Sequence, residues 1–204
     1  EYGVSKWLTV AAGVGQIGQV NNTYRYLTGG VRSSVWGILG SLDAAYDPER
    51  SASAARISLG SSFYDVDVRL QHTFFDGFIS DENRNTTRPI TQSTDIDVDS
   101  FINLLGNNPL SFGFSILQDR FDNGETDTIL RSRASQSFWG ISLTSNMERS
   151  YGSNEQTTGS IALRGSVRRV LLGLTADYAV EPESELRQLN LTGQFYWAPN
   201  ILNR

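Results

Sequence analysis

The sequence predicts an all-β chain, an antiparallel up-and-down transmembrane β-barrel, on three observations. Apolar residues recur at every second position almost throughout, which marks strands with one apolar and one polar face. The strands so defined are long, most of about nine to thirteen residues, where soluble domains average about five or six and a tilted membrane strand needs about nine to eleven. The joints between them alternate longer and shorter, as the external loops and periplasmic turns of bacterial barrels do.

Taken in order, twelve strands are expected near residues 6–17, 24–34, 37–47, 53–61, 63–75, 94–104, 109–121, 126–135, 138–149, 156–166, 168–180 and 186–198. The joint Gly18 to Thr23 is loose and polar, and Ser34 to Gly37 is tight. Asp47 to Ala52 is loose, and Ser61–Ser62 is tight. The fifth strand alternates Tyr64, Val66, Val68 and Leu70 with Asp65, Asp67, Arg69 and Gln71. A hydrophilic external loop over about 76–93 follows. In the sixth strand Ile96, Val98, Ile102 and Leu104 are separated by Asp97, Asp99 and Asn103, before the compact turn Gly106-Asn107-Asn108-Pro109. Asp122-Asn123-Gly124-Glu125 is looser, and Gln136–Ser137 is tight. Trp139, Ile141, Leu143 and Met147 form the apolar row of the ninth strand, which ends in the loose Ser150–Glu155 segment. After a tight joint near Val167, Leu172, Leu174, Ala176, Tyr178 and Val180 alternate with Gly173, Thr175 and Asp177. Beyond Glu181–Glu185, Leu189, Leu191, Gly193, Phe195 and Trp197 alternate with Gln188, Asn190, Thr192, Gln194 and Tyr196. No segment has convincing helical spacing.

Hydrocarbon satisfies no backbone amide, so strands in lipid must pair on both sides, and closing the ring removes the free edges. In such a ring the apolar row faces lipid. The polar row, with Asp43, Arg56, Asp65, Asp67, Arg69, Asp97, Asp99, Arg131, Arg133, Glu148, Arg164 and Asp177, faces a wet lumen. An Arg at the lipid midplane costs roughly 2–4 kcal/mol, which orients the strands. Aromatic residues fall near predicted strand ends; Trp7, Tyr24, Trp36, Tyr46, Tyr64, Phe74, Trp139, Tyr178 and Trp197 form the expected girdle.

Composition narrows the classes. The 204 residues suffice for one domain, a single barrel or a barrel segment over 1–204. With 11% aromatic and 19% charged residues the chain is not disordered, and without cysteine it has neither disulfides nor a thiolate metal site. There is no apolar run of the roughly 18 residues that a membrane-spanning helix needs. No signal peptide opens the chain, so an exported protein is represented without its leader. The net charge of −5 argues against nucleic acid. All basic residues but Lys6 are Arg; this suits fixed charge networks or reflects a compositional habit of the source.

No motif carries chemistry, and the chain is not expected to be an enzyme. His72, the only histidine, has Asp76 and Ser80 nearby in sequence but no nucleophile signature. The acidic runs 122–127 and 95–99 lack calcium-loop spacing and fit turn chemistry and a charged face. Gly13, Gly15 and Gly18 match G-x-G-x-x-G with no helix following, so a nucleotide is not expected. No cofactor and no metal are implied.

At the start, Glu1 to Thr9 reads as a hairpin turn, with Tyr2 closing an earlier strand. Tyr2, Gly3, Val4, Ser5, Leu8 and Thr9 resemble the Tyr-Gly-aliphatic-Ser/Thr-x-x-Leu-Thr turn of fimbrial outer-membrane ushers, and the style of the sequence stays similar to usher barrels over residues 1–85. The resemblance implies a segment of an usher-like or secretion-type translocation pore in the bacterial outer membrane. Its partners would be outer-membrane lipid and lipopolysaccharide, with translocated subunits or other chains of a surface assembly. The alternatives are a small-solute or anion-selective channel and a structural barrel anchoring a surface assembly.

Overall fold

A computed structural model describes residues 2–18, 23–78, 88–105, 108–167, 170–181 and 186–197. Every element is a strand: β1 (Tyr2–Ser5), β2 (Leu8–Gly18), β3 (Thr23–Val35), β4 (Ile38–Asp47), β5 (Ala52–Phe63), β6 (Val66–Asp76), β7 (Ile90–Leu105), β8 (Asn108–Phe121), β9 (Thr126–Phe138), β10 (Ile141–Tyr151), β11 (Gln156–Val167), β12 (Val170–Glu181) and β13 (Leu186–Trp197). Among the described residues no helix is long and apolar enough to cross a membrane.

Each strand lies beside the next in sequence, in one order from β1 to β13. Two-residue alternation dictates this locally. A strand followed by a short turn finds its nearest partner in the strand just made, and a one-residue slip would exchange the faces. The pairing is regular: β4 and β5 stay in register from Ile38↔Ser61 to Asp47↔Ala52, and β12 and β13 from Val170↔Trp197 to Glu181↔Leu186.

The order is open. β1 and β13 stand at its two ends, and no pairing among the described residues joins them. The closed transmembrane barrel is therefore corrected to an open antiparallel sheet of 13 strands. With the ring go the expectations built on it: an usher-like or secretion pore, a small-solute or anion channel, an anchoring barrel and an outer-membrane location. Alternation specifies two faces and local neighbours. Closure is a contact between distant ends, and no local pattern encodes it.

The turns correct the strand ends. Tyr64-Asp65 and Trp139-Gly140 are the tight connections of β5–β6 and β9–β10, where the sequence placed Ser61–Ser62 and Gln136–Ser137. Asp65 thereby moves from a strand to a turn. Trp36, Tyr64 and Trp139 have φ of 53°, 53° and 49°, a region costly for bulky side chains. After Trp36 and Trp139, Gly37 and Gly140 also have positive φ, giving the turn twist that matches paired strands.

By compactness the chain divides into two units, residues 1–98 with 116–128 and residues 99–115 with 129–204. The first holds the only apolar residues buried among those described, Ala52, Phe78 and Phe121. Phe78 meets the Tyr26 ring edge-on at 5.6 Å, just beyond the Ser53–Gly77 bridge. Phe121 lies under Arg88, whose guanidinium is 3.6 Å from the ring centroid and is bound by Asp127 at 2.7 Å and Glu125 at 2.9 Å. The hydrogen bond to Asp127 is the main reason that this guanidinium is held above its ordinary pKa, with the charges of Asp127 and Glu125 adding to it. Arg88 thus ties the return of the 76–93 segment to the β8–β9 turn; residues 79–87 of that segment, Ser80 included, lie outside those described.

Candidate functional site

In the first unit Asp43 lies opposite Arg56, and Arg56 opposite Thr73, so the period of two puts Asp43, Arg56, Arg69 and Asp67 on one face. Ser41 donates to Asp43 at 3.1 Å, Arg56 Nε donates to Thr73 at 3.3 Å, and the Ser62 hydroxyl donates to Asp67. Asp97 sits in β7 between Ile96 and Val98, half-buried.

In the second unit Arg133 on β9 reaches Asp99 on β7, and both lie against Gly113 of β8. A Cβ at that glycine would strike the Asp99 carboxylate and the Arg133 side chain, so its absence opens the path of the ion pair. Arg131 donates to Glu148 at 2.7 Å, and the registers set Glu148, Arg164 and Asp177 on the same face. Both ion pairs are well exposed and contribute at most about 1 kcal/mol each. The polar rows are mixed in exposure: Asp67, Arg69 and Arg164 are exposed, Asp43, Arg56, Asp97, Glu148 and Asp177 are half-buried, and Thr73 opposite Arg56 is buried.

The aromatic residues separate by position. Trp7, Trp36, Tyr64 and Trp139 occupy tight turns, the last three at 94%, 89% and 91% exposure. Lys6 Nζ lies 4.4 Å from the Trp7 ring centroid. Tyr46 and Phe74 are exposed strand residues, and the Tyr178 ring covers Gly159 on the neighbouring strand. The side chains of Tyr24 and Trp197 lie outside those described.

The opposite face of β10 to β13 is strongly apolar and exposed, as is the row Val10, Val31, Leu42 and Ile57 across β2 to β5. The registers bring Leu143, Leu163, Leu174 and Gly193 into one line across four strands, with Ile161, Ala176 and Leu191 beside them and Leu172 and Phe195 at the turn end. Leu174 is 60% and Leu191 74% exposed. Burying one such side chain is worth about 1.5–3 kcal/mol, so the row is a large unsatisfied driving force. At its margin β13 has β12 as its only strand partner among the described residues.

One polar concavity of about 320 Å³ lies in the first unit, lined by Gln92, Thr94, Gln118, Arg120, Gly124 and Thr126. His72 Nδ1 is 2.8 Å from the Thr94 hydroxyl, and the His72 ring meets Phe74 edge-on. This occupies the one histidine with a neutral hydroxyl and an aromatic neighbour. Among the described residues no three His, Asp or Glu side chains gather as a metal site.

No family model matches the chain, and no curated protein matches it. The turn resemblance to fimbrial ushers finds no support there, and the open sheet contradicts what it implied. The apolar row was visible as alternation. What covers it was not, because a strand's own residues do not tell what lies over its face.

Proposed function

We infer that the chain is a structural, non-catalytic component of a polypeptide assembly, in which the apolar face of β10–β13 is covered by other protein and the charged face meets water. The observation that carries this is the row Leu143, Ile161, Leu163, Leu172, Leu174, Leu189, Leu191 and Phe195, in register across four paired strands and largely uncovered. Long strands without a second layer are stable when an apolar surface is stacked on them. In this reading the cover is polypeptide, whose apolar side chains pack against Leu174 and Leu191.

A photoreactive amino acid at Leu174, activated in cells that make the protein, tests this reading. The expected product is a protein–protein adduct that shifts the chain to higher mass on a denaturing gel. Adducts to lipid alone, or quenching by water with no adduct, overturn it.

A further inference from the structure

We propose that Asn123 is a self-modification site, at which the side-chain amide is lost as ammonia to attack by the Gly124 backbone nitrogen, and that the ion pairs of Arg88 set its rate. The inference is independent of what covers the apolar face of β10–β13.

Asn123-Gly124 is the only Asn-Gly step in the sequence, and both residues are exposed in the turn between β8 and β9. Glycine makes this step the least hindered of the asparagine steps, because no Cβ obstructs its nitrogen on the way to Asn123 Cγ and its backbone turns freely. Once the Gly124 nitrogen has given its proton to water, it attacks Cγ. The N–Cγ bond forms, the Cγ–Nδ2 bond breaks, and Nδ2 takes up a proton and leaves as ammonia. Water then opens the cyclic imide. Cleavage of the new N–Cγ bond leaves aspartate. Cleavage of the bond between Gly124 N and the main-chain carbonyl carbon of residue 123 leaves isoaspartate, whose main chain runs through Cγ.

The folded turn keeps the two reacting groups apart. The Gly124 N–H donates to Phe121 O at 3.1 Å, and Asn123 Oδ1 accepts from the Glu125 N–H at 3.0 Å. Phe121 N–H donates in turn to Glu125 O at 3.0 Å. A nitrogen so engaged keeps its proton, and a carboxamide pinned through Oδ1 does not swing its carbon onto that nitrogen. Reaction therefore requires the turn to open, and its rate follows the open population.

Arg88 holds the turn shut from outside. Its guanidinium bonds Asp127 through two nitrogens, at 2.7 and 3.3 Å, and meets Glu125 at 2.9 Å. It also lies over the Phe121 ring, 3.6 Å from the centroid. One cation thus grips residues on both sides of Asn123-Gly124, at the two strand ends that must part. The Arg88 and Asp127 side chains are 24% and 26% exposed, so this pair is screened less than the exposed pairs of the sheet.

The products undo the grip. Either one adds a negative charge to a turn that already holds Asp122, Glu125 and Asp127. Aspartate still offers an oxygen to the Glu125 N–H. Isoaspartate adds a carbon to the main chain between Phe121 and Glu125, which breaks the closure of the turn. Conversion is a one-way loosening of the β8–β9 turn.

The test follows the purified chain over time in neutral buffer. Peptide mass reports the exchange of NH2 for OH at residue 123, and chromatography separates the aspartyl from the isoaspartyl form. Conversion in the folded chain should be at least about tenfold slower than in the same chain under denaturant. Arg88→Gln and Asp127→Asn should each convert about fivefold faster than the unsubstituted chain. Asn123→Gln, whose longer side chain closes the ring poorly, should show no conversion at that position. If Arg88→Gln loses its strand signature in circular dichroism, Asp127→Asn carries the comparison. Equal rates in folded and denatured chains, clasp variants that convert at the unsubstituted rate, or conversion confined to other asparagines overturn the proposal.

Discussion

At the scale of single residues, aromatic rings explain the turns and also the misplacement of strand ends. Rings favour strands, so Tyr64 and Trp139 read as strand residues and drew the predicted joints to Ser61–Ser62 and Gln136–Ser137. The structure sets both in tight turns with positive φ and their rings in solvent. Trp36 shares this strain, and at 94% exposure its ring gains almost no burial in return. Trp36→Asn creates an Asn-Gly turn with Gly37 and is expected to stabilise the chain by about 1 kcal/mol, read as a higher denaturant midpoint at unchanged slope. Glycine supplies a second residue-scale test. Gly159 lies beneath the Tyr178 ring, where a Cβ has no room, whereas nothing approaches Gly193 within 4 Å. Gly159→Ala should cost about 1–3 kcal/mol by overpacking, and Gly193→Ala should be neutral or slightly stabilising. Equal effects at the two sites would show that the Tyr178–Gly159 contact contributes nothing.

At the scale of elements, existence and type were legible, because a period of two over ten or so residues has no helical reading. The alternation of Leu172, Leu174 and Ala176 with Gly173, Thr175 and Asp177 corresponds to two faces of β12. Of β1 the sequence shows only Tyr2 closing an earlier strand ahead of a hairpin turn, since four residues are too few to show a period. What covers each face was illegible: greasy and charged rows look alike whether the greasy side meets lipid, a second layer or a partner. Leu174→Asn and Leu191→Asn, on side chains that bury little within one chain, should retain the strand signature in circular dichroism and lose assembly in sedimentation. Loss of the strands themselves would mean that the row is packed inside the single chain. In the first unit, Arg88→Gln should speed hydrogen exchange at the amides of residues 121–125, because it removes the cation joining Phe121, Glu125 and Asp127. Unchanged exchange would show that the backbone bonds Phe121 N–Glu125 O and Gly124 N–Phe121 O hold the turn alone.

At the scale of the whole molecule, the charged rows were the readable part of the candidate site and their purpose was not. Asp43 and Arg56, or Arg131 and Glu148, face each other across neighbouring strands, a pairing that an open sheet and a ring share. Ring closure depends on whether β13 meets β1, a relation between strands far apart in sequence. The most direct measurement of the central claim is the sedimentation mass of the particle that holds this chain, recovered gently from cells that make it, in buffer free of lipid and detergent. The account predicts a particle heavier than one chain. A stable particle with the mass of one chain, its leucines at ease in water, would contradict it.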